Sequence, residues 1–103
     1  MALPALTPEQ RQVALAKARE ARAARSALLA DLKAGTLTLA DVLGREDDTA
    51  RRTKVAQVIR ALPGVGQARA SAAMQRAGIM PDRRVGGLGA RQREQLRAEF
   101  PGR

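Results

Sequence analysis

Five residues near the middle of the chain, Leu62-Pro63-Gly64-Val65-Gly66, leave it few ways to fold. Before them, Val55, Val58, Ile59 and Leu62 stand at i, i+3, i+4 and i+7, the spacing of one buried helical face. Pro63 has no N–H to continue that helix, and its ring disfavours the α region for Leu62. Gly64 and Gly66 are expected to reverse the chain through dihedrals closed to residues with a Cβ. A new helix is expected from Gln67 to about Ala77, stopped by Gly78, with Ala70, Ala73, Met74 and Ala77 facing inward. Its first N–H groups point out of the turn with partial positive charge, so a glycine turn feeding a helix N-terminus makes an anion site. The competing explanation is an αα-corner that needs glycine for geometry alone.

Charge decides which anion is expected. Residues 1–50 hold seven Lys/Arg against seven Asp/Glu, whereas residues 51–103 hold twelve against three. The whole net charge of +9 therefore sits in the half that carries the glycine turn. Such asymmetry points to a polyanion, and beside this turn the natural one is a nucleic-acid phosphate. With no Cys and no His, thiol nucleophiles, disulfides, zinc-finger ligands and the usual general base are absent, so no catalysis, cofactor or metal is expected. No apolar run approaches membrane-spanning length, and the start of the chain is too short and uncharged for a signal peptide. A soluble, cytoplasmic protein is expected, without a small-molecule substrate.

The other elements follow from caps and breakers. Thr7-Pro8-Glu9-Gln10 reads as a helix start with a capping box, opening a long helix to about Ala34 that Gly35 stops. Between Glu9 and Arg25 its large apolar groups are only Val13 and Leu15, while Leu28, Leu29 and Leu32 supply a docking patch near the end. Its N-terminal part is therefore expected to project from the body or lie over DNA. Arg11, Arg22 and Lys33 fall within about 40° on that helix, with Arg25 flanking them. Thr38 should cap a short helix to about Leu43, and Asp48 or Thr49 a third helix running unbroken to about Ala61. In that third helix Arg51, Arg52 and Lys54 would oppose the helix dipole near its start, hinting at selection by an external anion. Asp82 is a candidate cap for Arg83-Arg84-Val85. Gly86-Gly87-Leu88-Gly89 then repeats the logic of the first turn, opening a last helix from Ala90 to Phe100 with Leu88, Gln92, Leu96 and Phe100 in an i, i+4 ladder. No stretch alternates at period 2, so no strand is expected.

These motifs carry a resemblance. Leu62-Pro63-Gly64-Val65-Gly66 with Ala70 resembles the helix-hairpin-helix of many DNA repair and recombination proteins. Met1-Ala2-Leu3-Pro4, Leu6-Thr7-Pro8-Glu9-Gln10-Arg11, Leu62 to Gly66, and Arg83-Arg84-Val85 with Gly87-Leu88-Gly89, in that order, resemble the actinobacterial integration host factors. The resemblance implies an all-α fold, with a long N-terminal helix and a body similar to the helix-two-turns-helix of a small-subunit ribosomal protein. It also implies a nucleoid-associated protein that binds duplex DNA with little sequence preference, bends it and alters its topology. Carried over by position, Pro63, Gly64, Val65 and Gly66 with Arg69 hold one DNA backbone, and Arg83 and Arg84 touch DNA ahead of Gly87-Leu88-Gly89. The chain departs from the pattern at Gly86, where relatives usually have a basic residue, and at Gln67, where they often have Lys. It also has Ala68, Ala73 and Ala77 where relatives tend to carry larger aliphatics.

The resulting reading is an all-α chain with a long helical arm (1–35) and a DNA-binding body of about four helices (36–103). Its DNA-binding residues are Pro63, Gly64, Val65, Gly66, Gln67, Arg69, Arg83, Arg84, Gly87, Gly89, Arg91, Arg22 and Arg25. Double-stranded DNA is the expected partner, with a phage integrase as a second partner and a monomer in solution. The rival readings are a structured-RNA binder and a protein-interaction module supporting an integrase. A base-excision enzyme using Asp82 is a distant alternative, because no base pocket or lysine nucleophile accompanies it.

Overall fold

The computed structural model describes residues 5–101, so the Met1–Pro4 part of the resemblance lies outside the described residues. The chain is all-helical, in the order α1 (Pro8–Ala34), α2 (Leu39–Leu43), α3 (Asp48–Arg52), α4 (Val55–Ala61), α5 (Gln67–Arg76), a 3₁₀ turn (Val85–Gly87) and α6 (Ala90–Glu99). α1 begins and ends where its local chemistry says it must. Thr7 accepts from the Gln10 N–H at 3.1 Å, Gln10 Oε1 accepts from the Thr7 N–H at 3.0 Å, and Gly35 turns out of the helix at φ 81°. The same reciprocal cap opens α2, between Thr38 and Asp41.

Only the last third of α1 belongs to the core. Leu28 and Leu32 pack with Leu39, Val42, Val55, Val58, Ile59 and Leu96, while Val13 and Leu15 are about half exposed. Ala and Arg are strong helix formers, so the preceding turns persist without packing. The ladder on α6 closes the far side of the core, where Leu88, Leu96 and Phe100 are all buried. Arg93 fastens α6 from its other flank, donating to the carbonyls of Leu43 at 2.6 Å, Val85 at 3.0 Å and Leu88 at 3.3 Å.

The expected third helix is two helices. Thr53 and Lys54 are extended (ψ 138° at both), and this two-residue break pairs with Arg83–Val85. Val55 donates to the Arg83 carbonyl at 2.9 Å and Val85 donates to the Thr53 carbonyl at 3.0 Å. Two tertiary hydrogen bonds thus replace the helical ones, and the body has five α-helices rather than about four. Among the described residues this isolated bridge is the nearest approach to β-structure. The break also removes the dipole argument for Arg51 and Arg52, which now occupy the last turn of α3, where positive charge is favourable, and leaves it for Lys54, the N-cap of α4.

The cap of α3 is Asp47, not Asp48 or Thr49. Its carboxylate accepts from the Ala50 N–H at 3.2 Å and from Arg45 Nε at 2.6 Å. The Arg45 guanidinium, helped by that backbone N–H, holds the Asp47 carboxyl down at about 2. A folded-state value below the unfolded one stabilises the protein above the ordinary carboxylate range, and that contribution is lost as pH falls from about 5 towards 2. Asp47→Ala is expected to cost about 1 kcal/mol through the lost cap. Thermal melts should show a lower Tm at neutral pH and a shallower decline below pH 5 than in the parent.

Candidate nucleic-acid interface

The hairpin has the form of a type II turn. Pro63 takes its second position, Gly64 its third at φ 75°, and the Val65 N–H closes it on the Leu62 carbonyl at 3.1 Å. Leu62 is extended (φ −64°, ψ 143°), as the following proline requires. Two expectations change here. Val65 spends its N–H inside the turn, and its side chain is buried, so it positions the turn instead of donating to an anion. Gly66 sits at φ −93°, ψ −179°, a backbone that any residue adopts, so the reversal does not need a glycine there.

Gly66 is nevertheless the N-cap of α5, and no side chain caps that end. Ala70 donates back to the Gly66 carbonyl at 3.0 Å, which leaves the N–H groups of Gly66, Gln67 and Ala68 facing outward without partners among the described residues. A Cβ built on Gly64 or on Gly66 meets nothing within 4 Å. Open space and unpartnered donors coincide at one spot. Lys33, from the last turn of α1, and Arg60, from the last turn of α4, border the same cleft as Gly64 and Gly66. Sequence placed Lys33 on the basic stripe of α1 but neither residue at the hairpin, because nothing local says that α1 docks on α4 and brings Lys33 to the turn. On the other flank, the Arg69 guanidinium lies 5.1 Å from the centre of the Phe100 ring, held at the rim of the turn.

The second glycine turn works differently. None of its glycines has positive φ, and Val85–Gly87 winds as a 3₁₀ turn that Leu88 leaves extended. Gly86 is glycine for closeness: a Cβ there would stand 3.1 Å from Arg51 Nε and 3.2 Å from the Arg51 carbonyl. A basic side chain at 86 would press α3 outward. Arg83 folds across Gly87, whose missing Cβ would lie 3.0 Å from Arg83 Cδ. Arg84 donates to the Arg52 carbonyl at the end of α3. Through that bond Arg84 shares a cleft with Arg52 and, from α1, Arg25. Gly89 caps α6 with its N–H on Gln92 Oε1 at 2.9 Å, leaving Arg91 exposed on the first turn. Gln92 also donates to the Gly78 carbonyl, which ties the second turn to the end of α5. Arg22 is exposed on α1, one residue beyond Ala21 in that cleft. Asp82 caps nothing and forms no ion pair among the described residues, so it orders neither Arg83 nor Arg84.

The residues named from sequence fall mainly in two places, and Gly87, Gly89 and Arg91 belong to neither. Pro63, Gly64, Gly66, Gln67 and Arg69 surround the hairpin, and Arg25 and Arg84 border one cleft with Arg52 and Asp48; Arg22 stands one residue beyond that cleft in sequence, and Arg83 folds over Gly87 instead. Comparison with known proteins meets this arrangement from three directions. Residues 32–100 match the S13-like H2TH domain family. The chain is 46% identical to the integration host factor of Streptomyces coelicolor, over 97% of this chain and 95% of that protein. It is 45% identical to the integration host factor of Mycobacterium tuberculosis, over 97% of both. A solved structure of sIHF bound to an 8bp palindromic DNA superimposes with a TM-score of 0.78 at 41% identity, covering 82% of this chain and 97% of that one. A body with an S13-like H2TH domain, similar nearly end to end to these proteins, places the chain in the integration host factor family of Streptomyces and Mycobacterium.

Proposed function

We propose that this protein is a nucleoid-associated, sequence-nonspecific duplex DNA-binding protein that acts without catalysis. It grips phosphate backbones, bends DNA and thereby influences topology, compaction and site-specific recombination. The observation that carries this reading is the hairpin. Unpartnered N–H groups, unfilled space over Gly64 and Gly66, and the cations Lys33 and Arg60 converge there. Contacts made to phosphate, whether from backbone donors or from arginines, carry no base-edge code, which accounts for weak sequence preference. The name of the relatives and the DNA in the sIHF complex support the same partner.

In this reading residues 36–103 are the DNA-binding body and residues 1–35 the arm. Val13 and Leu15, half exposed on the arm, offer a surface to a protein such as a phage integrase. The protein works as a monomer on the nucleoid, and among the described residues no helix is long and apolar enough to cross a membrane. Competition between duplex DNA and a structured RNA at one fixed salt concentration tests the partner. Duplex DNA is expected to displace the RNA, and tighter binding of RNA would overturn the choice.

A further inference from the structure

A cleft of about 620 Å³ adjoins the hairpin cleft and shares Lys33, Leu62, Pro63 and Val65 with it. It forms where the turn after α1, the hairpin and the end of α6 come together. Its floor is apolar, with Leu39, Val65 and Phe100 buried, and Phe100 is the chain's only aromatic residue. Lys33 and Arg69 are exposed at its rim, and neither pairs with a carboxylate among the described residues. The Phe100 ring holds the Arg69 guanidinium 5.1 Å from its centre, so the cation stays beside the apolar floor without an anion. Glu99 is the one acid in the lining, and Arg76 already engages it.

We propose that this cleft binds a small amphipathic carboxylate, its apolar body against Leu39, Val65 and Phe100 and its head on Arg69 and Lys33. A cleft of this size suits a molecule of metabolite dimensions. The planar guanidinium matches a carboxylate through two parallel hydrogen bonds, and apolar surroundings strengthen both. A sugar or nucleotide body would leave hydroxyls unpaired against these walls, a cost that an aromatic or branched aliphatic body does not carry. Binding here also reaches the neighbouring cleft. Lys33 belongs to both and Arg69 rims the hairpin, so a bound carboxylate neutralises two cations beside the phosphate site. That coupling rests on the duplex-DNA reading, whereas the carboxylate site does not. Carboxylate and duplex then weaken each other by the same factor.

2-Naphthoate is the probe, and 2-naphthalenemethanol, a similar body without the charge, is its control. Titration calorimetry should give one naphthoate per chain with a Kd of about 1 mM or tighter, and the alcohol should bind about fivefold more weakly. Amide shifts in NMR spectra should centre on Leu37, Leu39, Val65 and Phe100. Arg69→Gln should lower naphthoate affinity about threefold to fivefold, with the alcohol's affinity and the helical circular dichroism unchanged. No saturable binding, equal affinity for the alcohol, or shifts centred elsewhere would overturn the proposal. With sodium acetate as the salt control, saturating naphthoate should weaken duplex binding about fivefold. Unchanged duplex affinity with naphthoate bound would overturn the coupling. A protein without salt-dependent duplex binding would sink the DNA reading and the coupling with it, while calorimetry still decides the carboxylate site.

Discussion

Raising monovalent salt from 50 to 200 mM is expected to weaken binding to a short duplex by about 250- to 1,000-fold. Four to six neutralised phosphates correspond to a slope near −4 to −5 on logarithmic axes, since each cation that replaces condensed counterions contributes about 0.9. The structure supplies suitable cations in Lys33, Arg60 and Arg69 near the hairpin and Arg25 and Arg84 in the second cleft, with Arg52 there in a loose, exposed pair with Asp48 at 4.0 Å. The net charge of +9 would overestimate the slope. Arg93 is fully engaged with three carbonyls, Arg76 pairs with Glu99 and Arg45 with Asp47, so these three serve the fold. Binding curves across that salt range decide the matter. A flat response would mean that phosphate contact is not the source of affinity.

Replacing Gly66 by Asp should separate binding from folding in opposite directions. The N-cap is where Asp is among the best residues, and a carboxylate there also complements the helix dipole. The backbone at 66 is open to any residue and its surroundings are empty, so the substitution should leave stability unchanged or raise it by a few tenths of a kcal/mol. DNA affinity should fall at least tenfold, because the carboxylate would occupy the donors and repel the phosphate, and tenfold requires only about 1.4 kcal/mol. Gly66→Asn, with a similar cap and no charge, should lose less. Gly64→Val would also abolish approach, but at φ 75° it carries backbone strain of about 1–2 kcal/mol and so mixes the two effects. Thermal melts and duplex titrations on the Gly66 pair read both quantities. Normal binding by Gly66→Asp would reduce the hairpin to a corner.

What was legible in the sequence was what the chain decides locally. Thr7 with Gln10, Gly35, Thr38 and the Pro63-Gly64 pair each set their own dihedrals or satisfy their own neighbours, and each stands where its chemistry put it. The break at Thr53-Lys54 was not legible, because its dihedrals are held by Arg83–Val85 some thirty residues away. In the site, the hairpin was recognisable from spacing, but the roles of its glycines were not. Gly64 answers to conformation and Gly66 to empty space, a distinction that needs φ values. Arginines are equally opaque in a string of letters. Arg93 binds carbonyls, Arg69 lies over Phe100 and Arg60 borders the hairpin cleft, and only the packing of α1, α4 and α6 tells them apart.

The joint between Thr53–Val55 and Arg83–Val85 has a mechanical meaning. It clamps one end of α4 to the Arg84 cluster, while the other end of α4 runs directly into Leu62-Pro63. The spacing between the Arg84 cleft and the hairpin is thus set by a seven-residue helix, with no slack loop between them. A single residue inserted into α4 would both lengthen this spacing by about 1.5 Å and rotate the hairpin by about 100° relative to the Arg84 cleft.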